Sequence, residues 1–211
     1  MAGAELIVVR HGETAWNREG RLQGHTDIPL SEAGLVQADE LAARLGAEDF
    51  DALYSSDLLR ARQTAERVAR CTGHEIVVDA LLRERNLGVL QSFTREENAR
   101  LHPEVYERYR RGEADYVVPG GESATQFFER VIGALTGIAT RLAGRRAVIV
   151  SHGGVLDALY RVAAGEGPEG PRKTTLLNAS INTFHYRDGR WTLRLWGDIS
   201  HLGRDRALDE V

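Results

Sequence analysis

Short apolar runs alternate with amphipathic stretches along the first third of this chain, and the alternation predicts its elements. The run LIVV within residues 5–10 is apolar at every position, which is typical of a strand buried on both faces. Residues 51–56 form a second short strand that leads into a helix over 57–70. Between the two strands, residues 30–45 follow a helical period behind a plausible N-cap, Ser31, with an apolar face of Leu35, Ala38, Leu41, Ala42 and Leu45.

The second half of the chain continues this alternation after one irregular stretch. Residues 75–88 begin as a strand and leave into a loop, and residues 89–122 combine many charges with few regular signals. A long amphipathic helix starts at Ser123 or Thr125, with a buried face of Phe127, Phe128, Val131, Ile132, Leu135, Ile138 and Leu142. The remaining predicted elements are a strand at 147–151, a helix at 154–164, a Gly/Pro loop at 165–171 and a hairpin at 180–198 around Asp188-Gly189.

Strands that alternate with helices predict an α/β fold with a mostly parallel sheet and a late antiparallel addition. In such sheets, ligands bind outside the carboxyl ends of the strands. The first strand ends in Arg10, His11 and Gly12, and a late strand ends in His152 and Gly153. We therefore expect the two histidines to be neighbours at one edge of the sheet.

Composition narrows the class of protein. The 211 residues are 42% hydrophobic and 27% charged, which suits one globular domain, or one domain with an insertion, that needs no disulfide or metal for stability. The net charge of −4 gives no overall basic field for nucleic acid, and no apolar run approaches the ~18 residues of a membrane span. A single cysteine excludes an intramolecular disulfide. We expect a soluble, cytoplasmic protein that binds neither nucleic acid nor a membrane.

Arginines near the same strand ends indicate an anion site. Arg60 lies in the first turn of its predicted helix, where backbone N–H groups and the helix dipole favour an anion. Arg10 offers a second planar fork for phosphate oxygens, and Asn17 follows in the next loop as a further donor. Gly12 and Gly153 allow the backbone to approach closely. A tetrahedral dianion is the ligand that these donors suit best.

Five short motifs follow one another along the chain: RHGETAWN (10–17), LQGHTDIPLSEAG (22–34), SSDLLRARQTA (55–65), ERNLG (84–88) and SHGG (151–154). Together they resemble the histidine phosphatase superfamily, also called phosphoglycerate mutase-like, over most of the chain. The tail that begins NASINTFHY is similar to the phosphatase members of that group. The resemblance implies a three-layer α/β/α sandwich with a mostly parallel central sheet, in a single domain over 1–211 with a small cap inserted at about 89–122.

The resemblance also implies roles around a phosphoryl group. His11 matches the histidine that takes this group, Glu84 matches the proton donor and acceptor, and His152 matches a catalytic residue that holds phosphoryl oxygens. It implies further phosphate contacts from Arg10, Arg60 and Asn17. Beside the resemblance, we predict three more substrate-binding residues: Gln23 and Gly24 at the mouth of the pocket, and Gly153 where the backbone approaches closely.

Physical chemistry supports a phosphohistidine route. His11 must attack as a neutral imidazole, and two nearby guanidinium groups lower its pKa toward that state. A backbone carbonyl at the far ring nitrogen would fix the tautomer. Glu84 must give a proton to the leaving alkoxide and later take one from water. The predicted activity is metal-independent hydrolysis of a small-molecule phosphate ester, with no metal and no cofactor.

Three alternatives remain open. The first is a bisphosphoglycerate-dependent phosphoglycerate mutase, although mutases usually carry TGW where this chain has QGH at 23–25. The second is a metal hydrolase with His11 and His152 as ligands, which the neighbouring arginines disfavour. The third is an inactive module that only binds phosphorylated ligands. The chain also departs from the family pattern at Ser92, where many relatives carry glycine.

The oligomeric state is open. Because related proteins are often dimers, a homodimer is one possibility.

Overall fold

The computed structural model describes residues 2–203, in which six strands form one central sheet. The strands are β1 (Ala4–Arg10), β2 (Ala52–Ser55), β3 (Ile76–Val78), β4 (Arg146–Ser151), β5 (Ile181–Arg187) and β6 (Arg190–Asp198). The helices are α1 (Ala15–Glu19), α2 (Glu32–Leu45), α3 (Leu59–Thr72), α4 (Arg95–Leu101), α5 (Pro103–Arg110), α6 (Ala124–Arg141) and α7 (Gly153–Ala163). Short 3-10 turns cover Ala80–Leu82 and Gly88–Leu90.

The strand order is β3-β2-β4-β1-β5-β6, with β1 in the middle of the sheet. The pairs β3–β2, β2–β4 and β4–β1 are parallel, whereas β5 pairs antiparallel with both β1 and β6. The predicted α/β class, the mostly parallel sheet and the late antiparallel hairpin are therefore confirmed. Asp188 and Gly189 at the hairpin turn have φ values of +50° and +78°, the combination that a two-residue hairpin needs.

Two hydrophobic layers explain why residues 6–9 of β1 are apolar at every position. Leu6 and Val8 pack with α6 and α7 on one face of the sheet, and Ile7 and Val9 pack with α2 and α3 on the other face. Alternate residues of a strand point to opposite faces, so a strand covered by helices on both sides has no polar face. The layers on both faces confirm the predicted three-layer arrangement.

The stretch 89–122 is more regular than predicted, because it contains α4 and α5. Thr94 begins α4 with a capping box, and Pro103 begins α5. The hydrophobic pattern did not indicate these helices because α5 has no fully buried residue and α4 has only Asn98. A separate small core forms here from Leu87, Leu90 and Val118, against which lie Leu22, Val105, Tyr106, Tyr109 and Tyr116.

Candidate active site

The parallel pairing of β1 with β4 brings the two strand-end histidines together. Arg10 and Ser151 are partners in the register of the two strands, so His11 and His152 are the next residues on each. The His11 N–H donates to the Ser151 carbonyl at 2.9 Å. The ring centroids of His11 and His152 are 5.2 Å apart in an edge-to-face arrangement, and both residues are buried. The predicted proximity of the two histidines is confirmed.

The imidazole of His11 is held in one tautomer. Its Nδ1 lies 2.7 Å from the Gly12 carbonyl oxygen, which only accepts, so Nδ1 carries the proton. Nε2 therefore holds the lone pair, which accepts a hydrogen bond from Nε of Arg60 at 3.2 Å. Burial, and then the guanidinium groups of Arg60 and Arg10, hold the pKa of His11 well below its usual range. The ring is a neutral imidazole, and burial contributes more to this than the arginines that the sequence indicated.

The two predicted arginines both lie at this edge of the sheet. Arg60 is in the first turn of α3 and, besides His11, donates to the carbonyls of Thr26 at 3.0 Å and Gly24 at 2.8 Å. These bonds fix the loop that carries Gly24 beside the histidines. The guanidinium of Arg10 donates to the Leu176 carbonyl, which lies in the segment leading to β5. Both side chains are about 1% exposed.

Asn17 lies one helical turn beyond the strand end, in α1. Its Oδ1 accepts hydrogen bonds from the backbone N–H of Thr14 at 3.0 Å and from the Thr14 hydroxyl at 3.0 Å, which completes a capping box. The oxygen of the amide is therefore occupied by the helix cap. Its Nδ2 is the atom available to donate to a ligand in the cavity that Asn17 lines.

Glu84 follows the 3-10 turn at Ala80–Leu82 and is held through both carboxylate oxygens. One oxygen accepts from the N–H of Arg85 at 2.8 Å and the other from the N–H of Gly154 at 2.9 Å. A Cβ at position 154 would lie 2.2 Å from Oε1 of Glu84, so glycine is required there for the carboxylate to occupy this place. The sequence singled out Gly153, but Gly154 is the residue that contacts Glu84.

A cavity of about 510 Å³ opens onto these side chains. Of the predicted site residues, the cavity is lined by His11, Asn17, Gln23, Gly24, Arg60 and Glu84. The other three, Arg10, His152 and Gly153, are buried and do not line the cavity. The structure therefore brings His11, Arg60 and Glu84 to one cavity, with His152 in van der Waals range of His11.

The chain matches the model of the histidine phosphatase superfamily (branch 1) over residues 6–199. The chain belongs to this superfamily. Over 201 residues it is 43% identical to a metal-independent phosphoserine phosphatase from Arabidopsis thaliana, which covers 94% of this chain and 83% of that protein. Phosphoglycerate mutase-like protein 4 from the same plant is 42% identical over 203 residues, with 94% and 87% of the two chains covered.

A solved structure shows the same architecture. A mutant phosphoserine phosphatase from Entamoeba histolytica, in complex with phosphoserine, superposes with a TM-score of 0.82 at 28% identity, covering 95% of this chain and 100% of that one. Together with the family match, this likeness shows that the protein is a phosphatase of the superfamily, a class that acts on phosphate monoesters.

The far wall of this histidine phosphatase is built by residues that the sequence did not assign to the site. Phe127, Phe128 and Ala158 line it, as do residues of the Gly/Pro loop after α7. Arg161 is only 5% exposed and holds this loop, donating to Asp157 at 2.6 Å and to the carbonyls of Gly167, Glu169, Gly170 and Pro171.

The segment over residues 89–122, called the cap below, and this loop meet at two glycines. A Cβ at Gly112 would lie 3.3 Å from backbone atoms of Gly170, so the two backbones are nearly in contact there. Gly112 and Gly170 both line the cavity. The loop and the cap therefore narrow the cavity together on the side away from the sheet.

The Ser92 position explains one departure from the family. Ser92 has φ of +76°, in the left-handed region that favours glycine, so the glycine of many relatives suits this turn of the cap. Across residues 2–203 no helix is long and apolar enough to cross a membrane, and no three or more His, Cys, Asp or Glu side chains are grouped as a metal ligand set.

Proposed function

We propose that this phosphatase hydrolyses phosphate monoesters through a phosphohistidine intermediate on Nε2 of His11. One observation carries the proposal: the imidazole of His11 is buried and neutral, and its unprotonated Nε2 lies 3.2 Å from Nε of Arg60. A phosphoryl group bound at this point meets a nucleophile and a cation at once. This arrangement suits phosphoryl transfer, which depends on positioning and on charge stabilisation.

The phosphoryl oxygens are held, in this proposal, by Arg10, Arg60, His152 and Asn17. The arginines offer planar forks at the place where negative charge lies in both the substrate and the transition state. Gln23 and Gly24 border the cavity and contact the phosphoryl group or its ester oxygen. Gly153 supplies the close backbone approach at the start of α7.

Glu84 moves the proton in both half-reactions. In the first, Nε2 of His11 bonds to phosphorus while the ester P–O bond breaks, and the carboxyl of Glu84 gives its proton to the leaving alkoxide. In the second, the carboxylate takes a proton from water, the water oxygen bonds to phosphorus, and the P–N bond breaks. Inorganic phosphate leaves and His11 is again a neutral imidazole. A bound phosphate dianion favours the protonated form of Glu84 that the first step needs.

We propose a small phosphorylated acid, with phosphoserine as the leading candidate, as the substrate. Arg85, Arg95 and Arg172 line the cavity in addition to Arg60, so a carboxylate on the substrate meets further positive charge. The names of two relatives, a phosphoserine phosphatase and a mutase-like protein, agree with a compact acidic ester. We propose no metal and no cofactor.

The test is to trap the intermediate. Brief incubation with 32P-labelled phosphoserine followed by a quench is expected to leave label that is stable to base and lost in acid. His11→Ala is expected to abolish both the label and turnover, whereas His185→Ala, on β5 away from the cavity, is the matched control and retains both. Near-native turnover in His11→Ala would overturn the proposal.

A second assay separates the phosphatase from the mutase alternative. The protein is incubated with 3-phosphoglycerate and the bisphosphate primer, and both 2-phosphoglycerate and inorganic phosphate are measured. We expect phosphate release to exceed isomerisation. Faster isomerisation would assign the protein to the mutase function.

We further propose that the chain is one domain over 1–211 with a cap over about 89–122, and that it acts in the cytoplasm as a homodimer without nucleic-acid or membrane partners. The support for a dimer is the edge strand β3, where Val77 and Val78 are 48% exposed. Light scattering of the native protein and of Val77→Lys tests this, because a dimer through β3 becomes a monomer in the variant.

A further inference from the structure

Ser56 is the first residue after β2, and it lies against His152. Its N–H donates to the Val150 carbonyl at 3.0 Å, which extends the pairing of β2 with β4 by one residue. The Ser56 side chain is buried, and its Oγ lies 2.9 Å from Nε2 of His152. No role described so far uses this hydroxyl.

The neighbours of Ser56 decide the direction of its hydrogen bond to His152. The N–H of Leu58 donates to Ser56 Oγ at 3.3 Å, so the oxygen already accepts one bond. Within residues 2–203, the hydroxyl proton has no acceptor other than Nε2 of His152. If Nε2 carried a proton instead, the buried hydroxyl proton of Ser56 would have no partner, which costs free energy. The satisfied arrangement has Ser56 donating, with the lone pair on Nε2 and the proton on Nδ1.

The other ring nitrogen of His152, Nδ1, belongs to a ring that packs edge-to-face against the ring of His11. Nδ1 is buried and, among the described residues, has no hydrogen-bond partner. Burial, followed by the Arg60 guanidinium and the His11 ring, holds the pKa of His152 well below its usual range, so the ring is neutral. A neutral ring can stabilise a phosphoryl oxygen through Nδ1 only if Nδ1 carries the proton, because a lone pair there would repel the dianion.

We propose that Ser56 is a positioning residue that fixes neutral His152 in the Nδ1–H tautomer and thereby aims a donor at the phosphoryl group. The inference rests on the proposed function for the identity of the ligand, but the tautomer is a property of the protein before substrate binds. Neutral histidine intrinsically prefers the opposite tautomer, with the proton on Nε2. The hydrogen bond from Ser56 therefore supplies the bias that the reaction needs.

The test is a spectrum that reports the tautomer directly. Long-range 15N–1H correlation spectra are recorded on the protein labelled with 15N-histidine, and the His152 signals are assigned by their loss in His152→Gln. We expect Nδ1 of His152 to have the shift of a protonated nitrogen and Nε2 that of an unprotonated one. In Ser56→Ala we expect the Nε2–H form to appear, and Ser56→Thr, which keeps the hydroxyl, is expected to restore the native pattern.

Ser55→Ala is the matched control. Ser55 is also buried at the end of β2, but its hydroxyl donates to the Ser56 carbonyl and does not touch His152. Its removal is expected to leave the His152 signals unchanged. A wild-type spectrum with the proton on Nε2 overturns the proposal, and so does an unchanged Nδ1–H pattern in Ser56→Ala. The wild-type spectrum decides the first point even if Ser56→Ala does not fold.

Kinetics test the consequence. We expect Ser56→Ala to lower kcat/KM about 10- to 100-fold, the loss typical of a misaligned donor, with recovery in Ser56→Thr. A changed tautomer with native kcat/KM would refute the link between tautomer and catalysis. The tautomer proposal and the proposed function can fail independently. If His11 carries no phosphoryl group, the trapping experiment fails while the His152 spectrum is unaffected.

Discussion

The edge of the sheet and the far wall of the cavity are held in place by different means. At the edge, His11, Arg60 and His152 are at most 3% exposed. His11 directly follows β1, His152 directly follows β4, and Arg60 lies in the first turn of α3. The far wall is formed by the cap and the loop after α7, and the side chain of Arg161 holds this loop through its backbone carbonyls. This difference separates two tasks. Changes at the edge should alter turnover of every ester, whereas changes at the wall should alter the choice among esters.

The largest effect is expected from Arg60→Lys. Lysine cannot supply the Nε donor to His11 and the fork to Gly24 and Thr26 at the same time. We expect kcat/KM to fall about 1,000-fold for phosphoserine and for p-nitrophenyl phosphate alike. Arg62→Lys, at an exposed ion pair with Glu66 on the same helix, is the control. A loss that differs widely between the two esters would contradict the assignment of Arg60 to the phosphoryl group.

A smaller effect is expected from Gly154→Ala. The added methyl would lie 2.2 Å from Glu84 Oε1, so the carboxyl must move away from its present position. Because a displacement of about 1 Å can cost about 100-fold in rate, we expect kcat to fall by that order with little change in KM. Gly133→Ala in α6, where a Cβ meets no atom within 4 Å, is the matched control. Native kcat in Gly154→Ala would show that Glu84 does not act from this position.

Arg161→Met tests the wall. The substitution keeps the apolar stem and removes the bonds to Asp157 and to the loop carbonyls. We expect kcat/KM for phosphoserine to fall about 3- to 10-fold through KM, and that for p-nitrophenyl phosphate to change less. Arg141→Met at the end of α6 is the control. Equal losses for both esters would show that the loop does not select among substrates.

The smallest effect concerns stability at acid pH. The pKa values of His11 and His152 lie well below 6.5 in the folded protein, whereas in the unfolded chain both histidines titrate near that value. Below pH 6.5 the unfolded state binds more protons than the folded state. The contribution of the two histidines to the free energy of unfolding is therefore fully present above that pH and is lost as the pH falls. Each histidine contributes at most ~1.4 kcal/mol per pH unit to the slope.

Urea unfolding between about pH 7.5 and about pH 5.5 measures this slope. His152→Gln removes one of the histidines with a lowered pKa, so we expect a shallower dependence of the unfolding free energy on pH in the variant. An identical slope would show that His152 is not held neutral by the fold.

The difference between the edge of the sheet and the far wall of the cavity also explains which features can be predicted from the sequence. An apolar run that ends in Arg10 and His11 predicts both the buried strand and the position of the candidate site at its end, because parallel strands place their carboxyl ends together. The sequence alone does not distinguish Gly153 from Gly154, since only the helix direction decides which of two adjacent glycines contacts Glu84. Arg161 and Asp157 have the i,i+4 spacing of a surface pair, and only the loop folded over them buries the arginine.

Ser56 shows another limit of the sequence. The pair Ser55-Ser56 can be placed at a strand end from the sequence, but the two hydroxyls have different partners, which depend on the register of β2 with β4. The helices of the cap are likewise hidden, because they pack on a core of few residues.

The place of β1 in the sheet has a consequence for biosynthesis. This strand is synthesised before the other five strands, and both of its partners, β4 and β5, lie more than 140 residues later in the chain. The strand that leads to His11 must therefore wait unpaired until β4 is made, with its apolar residues open to chaperones or to other nascent chains. Folding of this enzyme should finish only after release of the last hairpin from the exit tunnel.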